Sequence, residues 1–403
     1  MRTNHLLWNL MIALGALAAA GCGDDNGGQL GTGGGATDGL QEIWDQGLTR
    51  YVDEFDPTEA DPTPTDGVQS FEFDTDPESD TRGPICLRGA QYQVDVRDGS
   101  SDELFIYLQG GGACWDDFCA AFETVRPLAE ASGGVLDPEL ADNPLADADV
   151  VYLPYCDGSL FAGDVDRVLP SSLVEGEPSG PPVLSYQRGL QNLTAALDVA
   201  VEQFPNPSRV VLGGVSGGGF GTIVSAPLVR YYYPDVDILV LNDSGIGVAD
   251  SEDTGFVDDL LEGWNAQSLI PESCDDCTGN GHVTRLIEWN LDQDPGLSIS
   301  GMSHAEDSTI ASFFLMIGGE QFKTSLLSET ERMADNYPDR YKRFIMAGTA
   351  HTAILNPGEP VDVGIAQLGS LRTEIGGQSL MEWITAMLEG DAAWDNQVAE
   401  SIE

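Results

Sequence analysis

The sequence is short of positive charge. Its 403 residues carry 17 lysines and arginines against 67 aspartates and glutamates, a formal net charge of −50. Only two of the bases are lysines, Lys323 and Lys342. So negative a surface repels nucleic acid, anionic lipid headgroups and polyanionic polysaccharides, all of which need basic patches to replace their counterions. No nucleic-acid partner is expected. Long apolar runs are scarce too: Leu6 to Ala20 is the longest, and it falls short of the roughly 20 residues that a bilayer span requires. Histidine is rarer still, with His5, His282, His304 and His351 as the full complement. Chemistry that needs an imidazole therefore has few places to find one. Metal chemistry fares no better, since Cys274-Asp-Asp-Cys277 lacks a second ligand pair and has only His282 nearby. Neither a metal nor a cofactor is expected.

What is present begins with an address. Arg2, the apolar run and Ala19-Ala20-Gly21 before Cys22 read as a signal peptide over 1–21 that ends in a bacterial lipobox. Cys22 is the expected lipidation site, which would make the chain an exported monomer held to a membrane only through its anchor; ordinary cleavage elsewhere is the alternative. Residues 22–82 read as a flexible acidic linker. Gly, Asp and Thr dominate its first part, and Asp53 to Asp80 holds eleven acids and no base, interrupted by Pro57, Pro62, Pro64 and Pro77. The catalytic domain is expected over 83–395. Six cysteines remain after Cys22, namely Cys86, Cys114, Cys119, Cys156, Cys274 and Cys277. In an exported chain an even number suggests three disulfides, and fifteen pairings are open.

Periodicity points to an α/β fold. Tyr92, Val94 and Val96 alternate, an Asp-Gly-Ser-Ser turn follows, and Leu104 to Leu108 completes what reads as a hairpin. Later strands are unbroken apolar runs at 150–153, 209–212, 237–241 and 343–346, as a parallel sheet covered on both faces demands. Leu190, Leu193, Leu197 and Val201 have helical spacing. Strands alternating with helices predict a doubly wound, mostly parallel sheet, with ligands at the carboxyl ends of its strands.

The chemistry is concentrated in a few motifs. Gly214-Val-Ser-Gly-Gly218 follows a strand and matches the G-x-S-x-G nucleophile elbow, which makes Ser216 the candidate nucleophile. A serine hydroxyl needs a base. His351 follows the last predicted strand, where the chain order Ser, Asp, His puts that base; His282 sits in a glycine-rich loop and His304 comes too early. Asp307 is the leading carboxylate partner, with Asp243 as competitor and Glu306 behind. Gly110-Gly111-Gly112, after the strand ending at Leu108, resembles an oxyanion loop, so Gly111, Gly112 and Gly217 are the expected backbone donors.

With these motifs in place, the sequence resembles the pectinacetylesterase/Notum family. The matching stretches are Cys86-Leu-Arg-Gly, Leu108-Gln-Gly-Gly-Gly-Ala-Cys-Trp115, Asp142-Asn-Pro, Tyr155-Cys-Asp-Gly-Ser-Leu-Phe-Ala-Gly163, Gln187-Arg-Gly, Gly214-Val-Ser-Gly-Gly-Gly, Asn242-Asp-Ser-Gly, and the surroundings of Asp307 and His351. The resemblance implies an α/β-hydrolase-like fold that cleaves an ester with Ser216, Asp307 and His351, and it makes Asp243 part of a separate motif. Ala113 stands where the family has tryptophan. The segment 250–296 matches poorly and is the candidate lid or pocket wall. The expected partner is an ester, with an acetylated glycan as the family guess. A surface lipoprotein that merely binds glycan or lipid is the rival reading, and a peptidase is a third.

Overall fold

The computed structural model describes residues 39–60, 67–77, 82–131, 133–174, 177–362 and 366–402. The signal peptide and Cys22 lie outside the described residues. In chain order the strands that matter below are β1 (Glu59–Ala60), β2 (Val68–Phe73), β3 (Tyr92–Arg97), β4 (Glu103–Leu108), β5 (Gly112–Trp115), β6 (Phe118–Ala121) and β7 (Asp149–Leu153). There follow β8 (Val165–Leu169), β9 (Val183–Gln187), β10 (Arg209–Val215), β11 (Ile238–Asp243), β12 (Leu297–His304), β13 (Tyr341–Met346) and β14 (Gln397–Val398). The helices are α1 (Gly189–Gln203), α2 (Gly217–Tyr232), α3 (Phe256–Gly263), α4 (Thr284–Gln293), α5 (Gly319–Asn336) and α6 (Leu380–Glu389).

One ten-stranded sheet runs in the order β1-β2-β3-β7-β4-β10-β11-β12-β13-β14. Every neighbouring pair from β7 to β14 is parallel. The β1, β2 and β3 edge is antiparallel. The apolar runs are unbroken because both faces are covered. Along β4, Leu104, Ile106 and Leu108 join the core on one face, while Phe105 and Tyr107 join the core on the other. Helix α1 buries Leu190, Leu193 and Leu197 on the first face, and α6 buries Leu380, Trp383 and Ile384 on the second. This is the doubly wound α/β architecture that the sequence pattern implied.

The structure differs from the sequence reading in two places. Strands β3 and β4 do not pair as a hairpin, because β7 lies between them, antiparallel to β3 and parallel to β4. Strand β4 is buried from Leu104 onward, so it needs a parallel neighbour on each side, and a turn-linked edge partner cannot give it one. Packing into the core also begins upstream of Gly83, at Leu40 among the described residues. Within the acidic stretch Phe71 and Phe73 point into the core, and β2 pairs with β3 over six residues. Upstream, Leu40, Ile43, Trp44 and Leu48 are buried in the same core, and the Trp44 indole donates to the Pro227 carbonyl (2.9 Å). Charge counting hid these anchors because the acids flank them without interrupting them. In the 250–296 segment Leu260, Leu261, Trp264, Leu286 and Trp289 are buried.

Three disulfides join Cys86 to Cys156, Cys114 to Cys119 and Cys274 to Cys277. The second crosses the β5–β6 hairpin between directly opposed residues. No helix among the described residues is long and apolar enough to cross a membrane.

Candidate active site

Strand β10 pairs in register with β11, Val215 lying opposite Asp243. Ser216 comes next at φ 54° and ψ −120°, a strained backbone for a residue with a side chain, and α2 starts at Gly217. The turn is pinned on both sides: the Ser216 N–H donates to the Asp243 carbonyl (2.8 Å), and the Ser216 carbonyl accepts from Phe220 (3.0 Å). Its glycines are steric necessities. A Cβ at Gly214 would sit 2.2 Å from the Gly218 oxygen, and one at Gly218 would sit 2.0 Å from the Leu108 oxygen. Ser216 Oγ hydrogen-bonds none of the described residues.

The glycine loop after β4 lies against this elbow. A Cβ placed on Gly217 would be 3.7 Å from the Gly111 nitrogen and 3.4 Å from the Gly112 oxygen. At the first position of a helix the Gly217 N–H has no acceptor within the helix. Of the three expected donors, the Gly111 nitrogen lies beside Gly217, and the Gly112 carbonyl does as well. That carbonyl accepts from the Tyr155 hydroxyl (2.9 Å), which in turn accepts from the Leu160 N–H (3.0 Å). Leu160 and Phe161 follow at φ 55° and 64°, a left-handed pair that bulky residues rarely form.

Asp307 lies three residues beyond β12 and is fully buried. One carboxylate oxygen accepts from Thr309 (3.0 Å) and Ile310 (3.1 Å), and the other is 2.8 Å from His351 Nδ1. A carboxylate can only accept, so Nδ1 carries the proton and Nε2 is left as the acceptor. Three of the rival groups are engaged elsewhere and the fourth, His304, has a ring nitrogen without a partner. Asp243 makes no bond to the imidazole: its Oδ2 accepts from Ala353 (2.6 Å) and Ile354 (2.9 Å), and burial pushes its carboxyl up to about 6 against the pull of those amides. Glu306 faces Lys323 at 3.6 Å. His282 Nδ1 accepts from Ala249 (2.9 Å). His304 is buried with an unpartnered Nδ1, and burial depresses its pKa to about 4.

Beside the elbow lies an apolar cavity of about 70 Å³. Leu160 lines it and would be 3.2 Å from a Cβ on Gly217. Phe220, Ile223 and Val224 reach it from α2, and Phe256 and Leu260 from α3. Phe314 completes it from the turn after Asp307, meeting Phe220 and Phe256 at ring separations of 5.6 and 5.9 Å. Trp115 touches Phe256 and Phe314, each at 5.7 Å, and stacks on Phe118 at 4.4 Å. The Trp264 indole donates to the Cys114 carbonyl (2.8 Å) and so ties the hairpin to the 250–296 segment.

Sequence reasoning did not assign roles to Tyr155, Leu160 or Phe314. The segment around Tyr155 was conspicuous as a motif, which signalled importance without a role. Phe314 stands in a short irregular turn with no periodicity to mark it.

A doubly wound sheet with a strand–turn–helix serine at its carboxyl edge defines an α/β-hydrolase fold. The pectinacetylesterase family model matches residues 77–276. That stretch contains Gly111, Gly112 and Ser216 and stops short of Asp307 and His351. Pectin acetylesterase 7 and pectin acetylesterase 11 of Arabidopsis thaliana are 24% and 23% identical over 189 residues, 43% of this chain. The chain spans 45% of the length of these relatives. Among solved structures, that of the Wnt deacylase Notum from Drosophila superposes with a TM-score of 0.51 at 15% identity, covering 78% of this chain and 93% of that one. The chain is thus similar to the pectinacetylesterases over residues 77–276 and shares the fold of Notum.

Proposed function

We propose that this chain is a serine carboxylic ester hydrolase in which Ser216 attacks, His351 serves as base and Asp307 orients it. The observation that carries this reading is the 2.8 Å bond between His351 Nδ1 and the buried Asp307, made at the sheet edge that also carries the strained Ser216. In the first step Ser216 Oγ bonds to the ester carbonyl carbon while its proton passes to His351 Nε2. The carbonyl oxygen becomes an oxyanion facing the Gly111 and Gly217 amides. Collapse breaks the bond to the alcohol oxygen, which takes the proton back from His351. Water then attacks the acyl-enzyme and gives a proton to His351; as the acyl–Oγ bond breaks, His351 passes that proton to Ser216 Oγ and the acid leaves. The serine–histidine contact forms with substrate in place, as such contacts tighten only in the complex.

The apolar cavity favours an acyl group larger than acetyl. At about 70 Å³ it has room for roughly five water-sized groups, and all its lining side chains are hydrocarbon or indole. An acyl chain of several carbons fits that space better than an acetyl group, which would leave most of it empty. The net charge of −50 disfavours a polyanionic alcohol side. Export and lipidation at Cys22 complete the proposal.

The test is labelling by a fluorophosphonate together with hydrolysis of p-nitrophenyl esters, comparing the wild type with Ser216→Ala. Labelling should vanish in the variant and kcat should fall on the order of 10⁶-fold. A folded wild type that neither labels nor hydrolyses any ester in the series would instead favour a glycan- or lipid-binding lipoprotein.

A further inference from the structure

The Asn242-Asp-Ser-Gly245 motif stands at the carboxyl end of β11, between the strand that leads to the nucleophile and the strand that leads to the acid. It takes no part in the reaction proposed above, yet it touches both halves of the site. Through its main chain, Asp243 accepts the Ser216 N–H (2.8 Å). Through its side chain it accepts the amides of Ala353 (2.6 Å) and Ile354 (2.9 Å), two and three residues past His351. Ser244, at φ 60°, adds a third tie, its Oγ accepting the Thr352 N–H (3.1 Å). Thr352 is itself left-handed at φ 50°, so the chain turns sharply as it leaves His351 and presents three successive amides to this dipeptide. Asn242 closes the bracket on the other side: its Nδ2 donates to the carbonyls of Gly219 (2.8 Å) and Gly245 (3.0 Å), gripping the first turn of α2.

We propose that Asp243 is the positioning residue that sets the distance between Ser216 and His351, holding the base loop with its carboxylate and the elbow with its carbonyl. The energetics agree with a role beyond folding. A carboxylate wholly removed from water is costly, and a neutral side chain of similar shape would fill the space at less cost. What a carboxylate adds is an acceptor with lone pairs for two parallel amides, each bond stronger for its charge. Asp307 holds the imidazole ring in rotation, whereas Asp243 holds the backbone that carries it. The titratable side chains facing Asp243 are His351 and, from β4, Tyr107.

This inference rests on the catalytic roles proposed for Ser216 and His351, and its experiment separates the two. Asp243→Ala and Asp243→Asn are compared with wild type by kcat and KM on a p-nitrophenyl ester and by hydrogen exchange of the peptide spanning 351–355. The alanine variant should lose on the order of 10²-fold in kcat with KM within about twofold, as expected when a positioned group drifts by about an ångström. Its 352–354 amides should exchange faster by a similar factor. The asparagine variant keeps an acceptor oxygen and should recover kcat to within about tenfold of wild type. A folded Asp243→Ala with wild-type kcat and unchanged exchange would sink the proposal. Should that variant fail to fold, Ser244→Ala removes only the Thr352 tie and should still lower kcat several-fold, and unchanged kcat there overturns it equally. If the wild type proves inactive, exchange alone decides the clamp, while the esterase reading falls separately.

Discussion

Tyr155 sits between two loops of the site, donating to the Gly112 carbonyl at 2.9 Å and accepting from Leu160 at 3.0 Å. Burial raises its phenol well above the ordinary value, so it remains a donor at any working pH. Replacing it with phenylalanine leaves a carbonyl and an amide without their partner. That should cost about 1–3 kcal/mol of stability. It should also lower kcat roughly tenfold, less than the 10²–10³ lost when an oxyanion donor is removed outright. Thermal unfolding and steady-state kinetics of Tyr155→Phe read both effects, and a fall in stability with kcat untouched would confine Tyr155 to the scaffold. At this scale the sequence was informative where chemistry restricts residue type. Few imidazoles were available, and Ser216 stood in a motif that only a tight turn uses. It was uninformative about Tyr155, because a hydroxyl's partners are main-chain atoms that any residue possesses.

Two elements set the shape of the site. Where β10 turns into α2, the helix runs so close to β4 that a methyl group at Gly218 would overlap the Leu108 carbonyl at 2.0 Å. Gly218→Ala should therefore destabilise the fold by about 3 kcal/mol or more, the upper range for overpacking, and guanidinium unfolding would show it. A midpoint equal to wild type would mean that helix and strand can separate freely. Further along α2, Val224 lines the apolar cavity. Val224→Phe shortens that space, so the preference among p-nitrophenyl esters should move toward shorter acyl chains. The expected shift is about tenfold in kcat/KM for each methylene excluded. An unaltered chain-length profile would place the acyl group elsewhere. Helix α1 was readable from its spacing, and the parallel strands from their unbroken apolar runs. The insertion of β7 between β3 and β4 was not, since strand order depends on which faces are covered and neighbours in sequence carry no mark of it.

Across the whole molecule, acidity should govern stability. Burial raises Asp157, Asp198 and Asp243 to about 6 each, above the ordinary carboxyl value near 4. A carboxyl raised in the folded state contributes stability that is complete below its unfolded pKa and is lost as pH rises through its folded one. Between about pH 4 and 6 the folded state thus binds more protons at these three sites. His304, depressed to about 4, acts oppositely, its contribution being lost as pH falls from its unfolded value toward 4. His282, Glu288, Glu382 and Asp395, also lowered, act in the same sense as His304, but protonation relieves the self-repulsion of a chain at −50 and adds to the three raised carboxyls. The thermal midpoint should accordingly be higher at pH 5 than at pH 7.5, and added salt should raise it most at the higher pH. Calorimetry at two pH values and two salt concentrations checks both statements, and a midpoint that falls on acidification contradicts the first.

By itself the sequence determined the fold class, the nucleophile turn and the few histidines from which a base could be drawn. Each depends on local constraints: apolar period, backbone conformations that only small residues permit, and residue scarcity. Tertiary structure alone decided that Asp307, rather than Asp243, reaches the imidazole. It also decided that the acidic N-terminal stretch contributes a strand, and that side chains from α2, α3 and the turn after Asp307 enclose one apolar cavity. Those outcomes depend on contacts between residues far apart in the chain, and acidic side chains, of which the chain has 67, look alike until their partners are in place.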